Sequence, residues 1–289
     1  VSRLVLTVAY DGTDFAGSQV QPGARTVQGA LDAAIEQVCG IRPVTRFAGR
    51  TDRGVHAAGQ VVGFDDPWPD WPEAVVAKAL NAVLPPDLAV THAERAAASF
   101  DARHDARWRE YRYRVWFGGR APLASRTVWR MPGEIDPGAM REAAALLLGS
   151  HDFGAFAGGG EGVPWSERRR QPRGTQRTLF ASDIRELVPW WGPHAGGRLV
   201  EYRVVGDGFL PQMVRAIVAA LVEVGRDRRP AEWVRELIAV HDRRAGGGLA
   251  GPNGLTLWRV GYAPWESDEP DEAVARVELI EDGMPAAWE

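Results

Sequence analysis

The 289-residue chain has one cysteine and, at Lys78, one lysine. A lone cysteine excludes an internal disulfide and suits a reducing compartment. Cys39 closes an apolar helical pattern, where a thiol packs as a small hydrophobe. No Cys/His group has zinc-ligand spacing, so no metal site is expected. Neither a GxxxxGK[ST] loop nor a GxGxxG turn behind a strand is present, which removes the two signatures that would announce a nucleotide cofactor. No apolar run is long enough to cross a bilayer, and Val1 to Leu6 enter a strand-like run without a signal-peptide layout. A cytoplasmic protein with no membrane association is the expectation.

Scarce lysine leaves arginine as the basic residue. Codon bias accounts for this as readily as function does, yet the guanidinium still brings a planar fork for phosphates and a face that stacks on bases. The formal net charge of −4 argues against a nucleic-acid partner until its distribution is read. Residues 265–289 hold nine acids against Arg276, a local balance of −8 that leaves +4 on residues 1–264. The body is mildly basic and the tail acidic, short of the basicity that identifies an RNA binder by charge alone.

Hydrophobic periodicity predicts strands at 3–10, 44–49, 58–64 and 88–96. A helix carries Val27, Ala30, Leu31, Ala34, Ile35 and Val38 behind a capping Thr26, and a second starts at Pro72 with Val75, Val76, Ala79, Leu80 and Val83 on one face. The rhythm then repeats: strands at 109–117, 177–187, 198–206 and 256–263, a helix from Asp136-Pro137 to Leu148, an amphipathic helix over 210–224 and a short one over 231–240. This is an α+β fold in two halves with mostly antiparallel sheets. The expected domains are 1–104 and 105–264, followed by the acidic tail 265–289. Segment 157–177 breaks the pattern with the glycine run Gly158, Gly159 and Gly160 and with Arg168, Arg169, Arg170, Arg173 and Arg177. It is either a solvated loop or a basic lid over bound RNA.

The densest chemistry lies in Gly49-Arg50-Thr51-Asp52-Arg53-Gly54-Val55-His56-Ala57. One carboxylate stands between two guanidiniums, which should hold it ionised, and a positioned aspartate can act as a nucleophile. Aspartate in a glycine-rich connection also makes local turns by accepting backbone N–H groups. The nine residues alone leave both readings open.

GRTDRGVHA resembles the signature of the tRNA pseudouridine synthase A family, and other segments match that family in order. They are Tyr10-Asp11-Gly12-Thr13-Asp14-Phe15-Ala16-Gly17, Thr26-Val27-Gln28, Asn81-Ala82-Val83-Leu84-Pro85, Ser99-Phe100-Asp101-Ala102-Arg103 and Tyr111-Arg112-Tyr113. Gly149-Ser150-His151-Asp152-Phe153, Gly208-Phe209-Leu210 with Met213-Val214-Arg215, and Gly254-Leu255-Thr256-Leu257 complete the set. So many ordered segments are far more specific than one motif.

The resemblance implies two ferredoxin-like halves around a central active-site cleft, a homodimer, no cofactor, and isomerisation of uridines in the tRNA anticodon arm, around positions 38–40. It makes Asp52 the nucleophile, Tyr111 the ring that stacks on the target base and whose hydroxyl could also assist proton removal from C5, and Arg215 the helix-borne partner of Asp52. Arg50 becomes the residue that helps extract the base, or an ion-pair partner of Asp52. Arg103, Arg107, Arg109, Arg112 and Arg168, Arg169 and Arg170 are candidates for phosphate contact. His56 is either an acid–base group or a hydrogen-bonded structural histidine, and Tyr113 a core or supporting residue. The chain departs from the family at Ser18, where tryptophan is common, at Arg53 and Ala219, where small residues are, and at Leu249-Ala250-Gly251-Pro252. Two other readings stay distinguishable: a non-catalytic RNA-binding module, which leaves nucleoside composition unchanged, and a nucleoside hydrolase, which releases free uracil.

Overall fold

The computed structural model of the protein describes residues 2–158, 174–192, 196–240, 246 and 248–266. Arg168, Arg169 and Arg170, and the acidic tail beyond residue 266, lie outside the described residues.

Ten strands occur in chain order: β1 (Arg3–Tyr10), β2 (Arg46–Phe47), β3 (His56–Asp65), β4 (Leu88–Ala96), β5 (Trp108–Gly118), β6 (Trp129–Met131), β7 (Gly149–Asp152), β8 (Gln176–Leu187), β9 (Gly197–Gly206) and β10 (Leu255–Gly261). They form one sheet in the order β4-β1-β3-β10-β5-β9-β8-β7, with β2 added to β3 and β6 to β5. Pairing is antiparallel except for β10 with β3 and β5 with β6. The α+β class with mostly antiparallel pairing is as expected. The two halves, however, share a continuous sheet, because β10 returns from the end of the second half and inserts between β3 and β5. Its Leu257 lies opposite both Ala57 of β3 and Tyr111 of β5. Gly59 permits the close approach: a Cβ there would stand 2.5 Å from the Trp258 carbonyl oxygen.

The helices follow their sequence signals. In α1 (Val27–Cys39), Thr26 Oγ1 accepts the Gly29 N–H at 3.2 Å, and Gly40, at φ +76°, ends the helix in the left-handed conformation. Val27, Leu31 and Ile35 are fully buried, each contributing about 1.5–3 kcal/mol of apolar burial. In α2 (Glu73–Asn81) Val76 and Leu80 are buried, but Val75 faces out. The third helix, α3 (Pro137–Ala145), is capped by Asp136 and stops short of Leu148. Leu146, Leu147 and Leu148 each bond three residues back, tightening the chain into Gly149 at φ +93°. The amphipathic run forms α4 (Met213–Gly225), shorter than expected because Gln212, at φ +60°, is not helical. Last comes α5 (Trp233–Val240). The expected strand at 44–49 shrinks to β2, since both backbone groups of Gly49 are taken by the Gln60 side chain. Strands β6 and β7, only three and four residues long, fall below what periodicity detects.

Alternation along β5 separates two environments. Tyr111 and Tyr113 join the main core on the helix-bearing face. Glu110, Arg112 and Arg114 point to the other face, where fully buried Glu110 meets Arg112 and Arg203 at 3.0 Å and Arg259 at 3.1 Å. Arg112 also lies 4.0 Å over the Trp258 ring. It is thus a buried ion-pair residue on the face away from the cleft, and its expected phosphate contact is corrected: a guanidinium so enclosed meets carboxylates, not RNA.

Burial of Glu110 pushes its pKa up, but the guanidiniums of Arg203, Arg112 and Arg259 outweigh this and hold it below the usual 4.5. A depressed folded-state pKa stabilises the fold above 4.5, and that contribution is lost as pH falls through the folded value. Glu110→Gln is expected to cost about 3–5 kcal/mol at neutral pH, because three cations lose their anion, and to flatten the loss of stability in acid. Urea denaturation of both proteins from pH 7 to pH 3 checks this.

Candidate active site

A cleft of about 990 Å³ opens on the helix-bearing face between the first turns of α1 and α4. Asp52, Tyr111, Arg50 and Arg103 all line it. Arg215 reaches Asp52 from the first turn of α4, Nη1 to Oδ2 at 3.8 Å. Asp52, Tyr111, Arg215, Arg50 and Arg103 therefore converge, whereas Arg107, Arg112 and His56 do not line the cleft and Arg168, Arg169 and Arg170 lie outside the described residues.

The loop carrying Asp52 is fixed from behind. Ser18 and Thr51 exchange two bonds, Thr51 N–H to Ser18 Oγ at 2.9 Å and Ser18 N–H to the Thr51 carbonyl at 3.0 Å. The hydroxyls of Tyr10 and Thr51 are 2.8 Å apart. Gln60, fully buried, donates to the Gly49 carbonyl at 2.8 Å and accepts the Gly49 N–H at 3.1 Å. Gly17, at φ +103°, lies so close that a Cβ would sit 2.9 Å from the Thr51 carbonyl oxygen. With Gly49 and Thr51 tied inward, Asp52 is left at the cleft wall with 44 % of its side chain exposed.

Its electrostatics differ from the sequence expectation. Desolvation raises the Asp52 pKa above 3.8, and the Arg215 guanidinium only partly offsets this. Arg50 and Arg53 are exposed and make no ion pair with Asp52 among the described residues, so water screens them. Adjacency in sequence did not produce adjacency of charge. Arg215 is well covered, 12 % exposed, and its Nε donates to the Ala250 carbonyl at 2.8 Å while the Ala250 N–H returns to the Arg215 carbonyl at 3.2 Å. Loop 249–252, which departs from the family pattern, thus seats this cation. Tyr113, fully buried, donates to the Gly251 carbonyl at 2.6 Å and anchors the same loop.

Tyr111 is nearly buried, with its ring edge-on to Phe209, centroids 5.0 Å apart. Burial is the main cause of its raised phenol pKa, with Tyr10 and Asp52 adding in the same direction. Arg109 lines the cleft and donates to the carbonyls of Ala48 and Arg103. His56 does not line it: its Nδ1 accepts the Gly12 N–H at 3.1 Å, and burial lowers its pKa. Its Nδ1 also lies 3.2 Å from Asp11 Oδ1, so the ring is held by backbone and carboxylate away from the cleft. Phe209, Gln60, Ser18 and the Ala250 carbonyl carry no catalytic signal in sequence. A lone amide in the apolar run of β3 is the one available hint for Gln60.

The tRNA pseudouridine synthase family model matches residues 6–105 and 143–263. The chain is 41 % identical over 261 residues to tRNA pseudouridine synthase A of Myxococcus xanthus, covering 90 % of this chain and 92 % of that protein. It is 39 % identical over 263 residues to the protein of that name from Geobacillus kaustophilus (strain HTA426), covering 90 % and 94 %, and 40 % identical over 292 residues to that of Solidesulfovibrio magneticus, covering 94 % and 98 %. Fold and cleft are those of an isomerase that works on RNA. The chain belongs to the tRNA pseudouridine synthase family.

The opposed effects on Asp52 predict the acid side of the rate profile. Activity should fall as pH drops through an Asp52 pKa raised above 3.8. Since Arg215 lowers that pKa, Arg215→Met should move the acid limb to higher pH as well as reduce the plateau. Single-turnover rates against pH test it, and an unmoved or lowered limb contradicts the pairing.

Proposed function

We infer that this protein isomerises uridines of the tRNA anticodon arm, positions 38–40, to pseudouridine, with Asp52 as nucleophile. The observation carrying the reading is the meeting of Asp52, Arg215 and Tyr111 in one cleft. The reaction breaks the N1–C1′ bond and rejoins the base through C5. It conserves mass, since the proton lost from C5 is balanced by one gained at N1, so the residues must supply a nucleophile, a platform for the base, a path for the C5 proton and cations for the phosphates. The target base must leave its stem to reach Asp52, at an unstacking cost of a few kcal/mol. Stacking on Tyr111 returns roughly 1–3 kcal/mol. The hydroxyl of the same Tyr111 is the group in this reading that assists removal of the C5 proton. Arg50, exposed two residues from Asp52, occupies the space the base leaves, and Arg103 at the rim contacts phosphate.

Arg168, Arg169 and Arg170 extend the phosphate contacts in this reading. Their segment leaves the described chain at Gly158, whose N–H bonds the carbonyl of Pro211 on the cleft wall. The division into halves at residues 104 and 105, a homodimer and a cytoplasmic location belong to the same reading through the family.

Mapping pseudouridine in tRNA after incubation with the protein tests the assignment. New pseudouridine is expected in the anticodon arm, and Asp52→Ala should abolish it while leaving tRNA binding intact. Free uracil would indicate a hydrolase, and unchanged nucleosides a binding module. Neutralising Arg168, Arg169 and Arg170 together should weaken tRNA binding and reduce its salt dependence, each lost phosphate contact lowering the log–log slope by about 0.7–0.9. Titrations at several salt concentrations read this out.

A further inference from the structure

We propose that Tyr10 and Gln60, neither of which reaches the reacting atoms, are positioning residues that set the Asp52 carboxylate against Arg215 through a buried polar chain ending at Thr51. The inference rests on the assignment of Asp52 as nucleophile.

Three elements converge beneath the loop. Gln60 projects from β3 and holds both backbone groups of Gly49. Its Nε2 also approaches the Tyr10 hydroxyl at 3.5 Å. Tyr10, the last residue of β1, meets Thr51 Oγ1 at 2.8 Å. Ser18 closes the opposite side of Thr51 with its two bonds. Tyr10, Ser18, Thr51 and Gln60 are all under 9 % exposed. Water therefore does not substitute for a lost partner, and the loop must move if one is removed.

The clamp acts on alternate residues. Gly49 and Thr51 are held, while Arg50 and Asp52 are free to face the cleft. The cation opposite Asp52 comes from α4, so the 3.8 Å separation depends on two elements that are held independently. A loop released from Tyr10 and Gln60 keeps its sequence and its charges but loses that register. Arg215 from α4 and Tyr111 from β5 face Asp52 from other elements, and Arg50 shares its loop. Only the distance to Arg215 lowers the carboxylate pKa, so the acid limb of the rate profile reports the clamp. The Tyr10 phenol, pushed by burial to about 12, stays neutral throughout the working range and adds no titration of its own.

The test uses the full chain with Tyr10→Phe and Thr51→Val, which each remove one end of the 2.8 Å contact at nearly constant volume. Expected results are a fall in kcat of about 10- to 100-fold, as for a displacement on the order of 1 Å, and little change in KM for tRNA, which many phosphate contacts set. The acid limb should move to higher pH. Thr51→Ser, which keeps the hydroxyl, should restore most of the rate lost in Thr51→Val. In the Tyr10→Phe/Arg215→Met double variant the limb should move no further than in Arg215→Met alone, because both act on one pair. A kcat within twofold of wild type for both single variants, or additive limb shifts in the double variant, overturns the proposal. So does a rate loss that tracks only a lowered melting temperature. Absence of pseudouridine formation by the wild-type protein would instead refute the assigned reaction.

Discussion

Everything in this molecule depends on β10 lying between β3 and β5. The strand comes from the end of the described chain, yet it pairs in parallel with the strand that follows the Asp52 loop and antiparallel with the strand that bears Tyr111. Side chains on a strand have a period of two, so a slip of one residue would send every one of them to the opposite face. Leu257 opposite both Ala57 and Tyr111 fixes one frame for both halves. In that frame Tyr111 opens toward the cleft, and Gly49, whose added Cβ would lie 3.8 Å from the Tyr111 hydroxyl, brings the Asp52 loop beside it. Loop 249–254, which leads into β10, also takes the Arg215 guanidinium on its Ala250 carbonyl and the Tyr113 hydroxyl on its Gly251 carbonyl. One segment thus sets strand register and holds the helix-borne cation.

Two carboxylates on opposite sides of this sheet illustrate how environment divides similar groups. Glu110 has no exposure and three guanidiniums near it, and its pKa is depressed. Asp52 has more exposure but a single cation at 3.8 Å, and its pKa is raised. Burial acts in the same direction on both; the number and closeness of cations decides the sign. Glu110 is neutralised and structural. Asp52 has one distant cation that offsets its desolvation only in part, and in the proposed reaction that incomplete stabilisation suits a nucleophile.

Much of this was legible in the sequence, for reasons that differ by element. Thr26, Gly40 and Asp136 announce helix ends because capping is a local interaction between neighbours. Strands β1, β5, β8 and β9 are long and periodic. Asp52, Tyr111 and Arg215 were legible through ordered motifs, not through physics, since no spacing rule says that positions 52, 111 and 215 meet. The single sheet was not legible, because the pairing of β10 with β3 spans some 200 residues and leaves no periodic trace. Charge was misread where sequence proximity stood in for distance: Arg50 and Arg53 extend into water, and the carboxylate is governed by its desolvation, offset in part by a residue 163 positions away. Arg112 was misread for a related reason. Its β5 position is even-numbered, and alternation sends it to the Glu110 face.

Arginine's near monopoly of positive charge has a consequence that net charge conceals. On the face away from the cleft, Arg112, Arg114, Arg203 and Arg259 are committed to Glu110 and Glu201 and lie against the tryptophans Trp258, Trp190, Trp265 and Trp108. A guanidinium can do this because it is weakly hydrated and planar, satisfying a carboxylate at its edge while its face packs on a ring. A lysine ammonium, compact and strongly hydrated, would lose more solvation than these contacts return. Among the described residues, the sheet therefore buries charge on one side without an apolar layer of helices, and the helices lie on the other side, where α1 and α4 flank the cleft. Charges counted along the chain cannot separate these spent arginines from Arg50 and Arg103, which stay exposed at the cleft rim. A mildly basic body thus holds part of its positive charge in internal ion pairs and part at the cleft rim, a division that net charge cannot show.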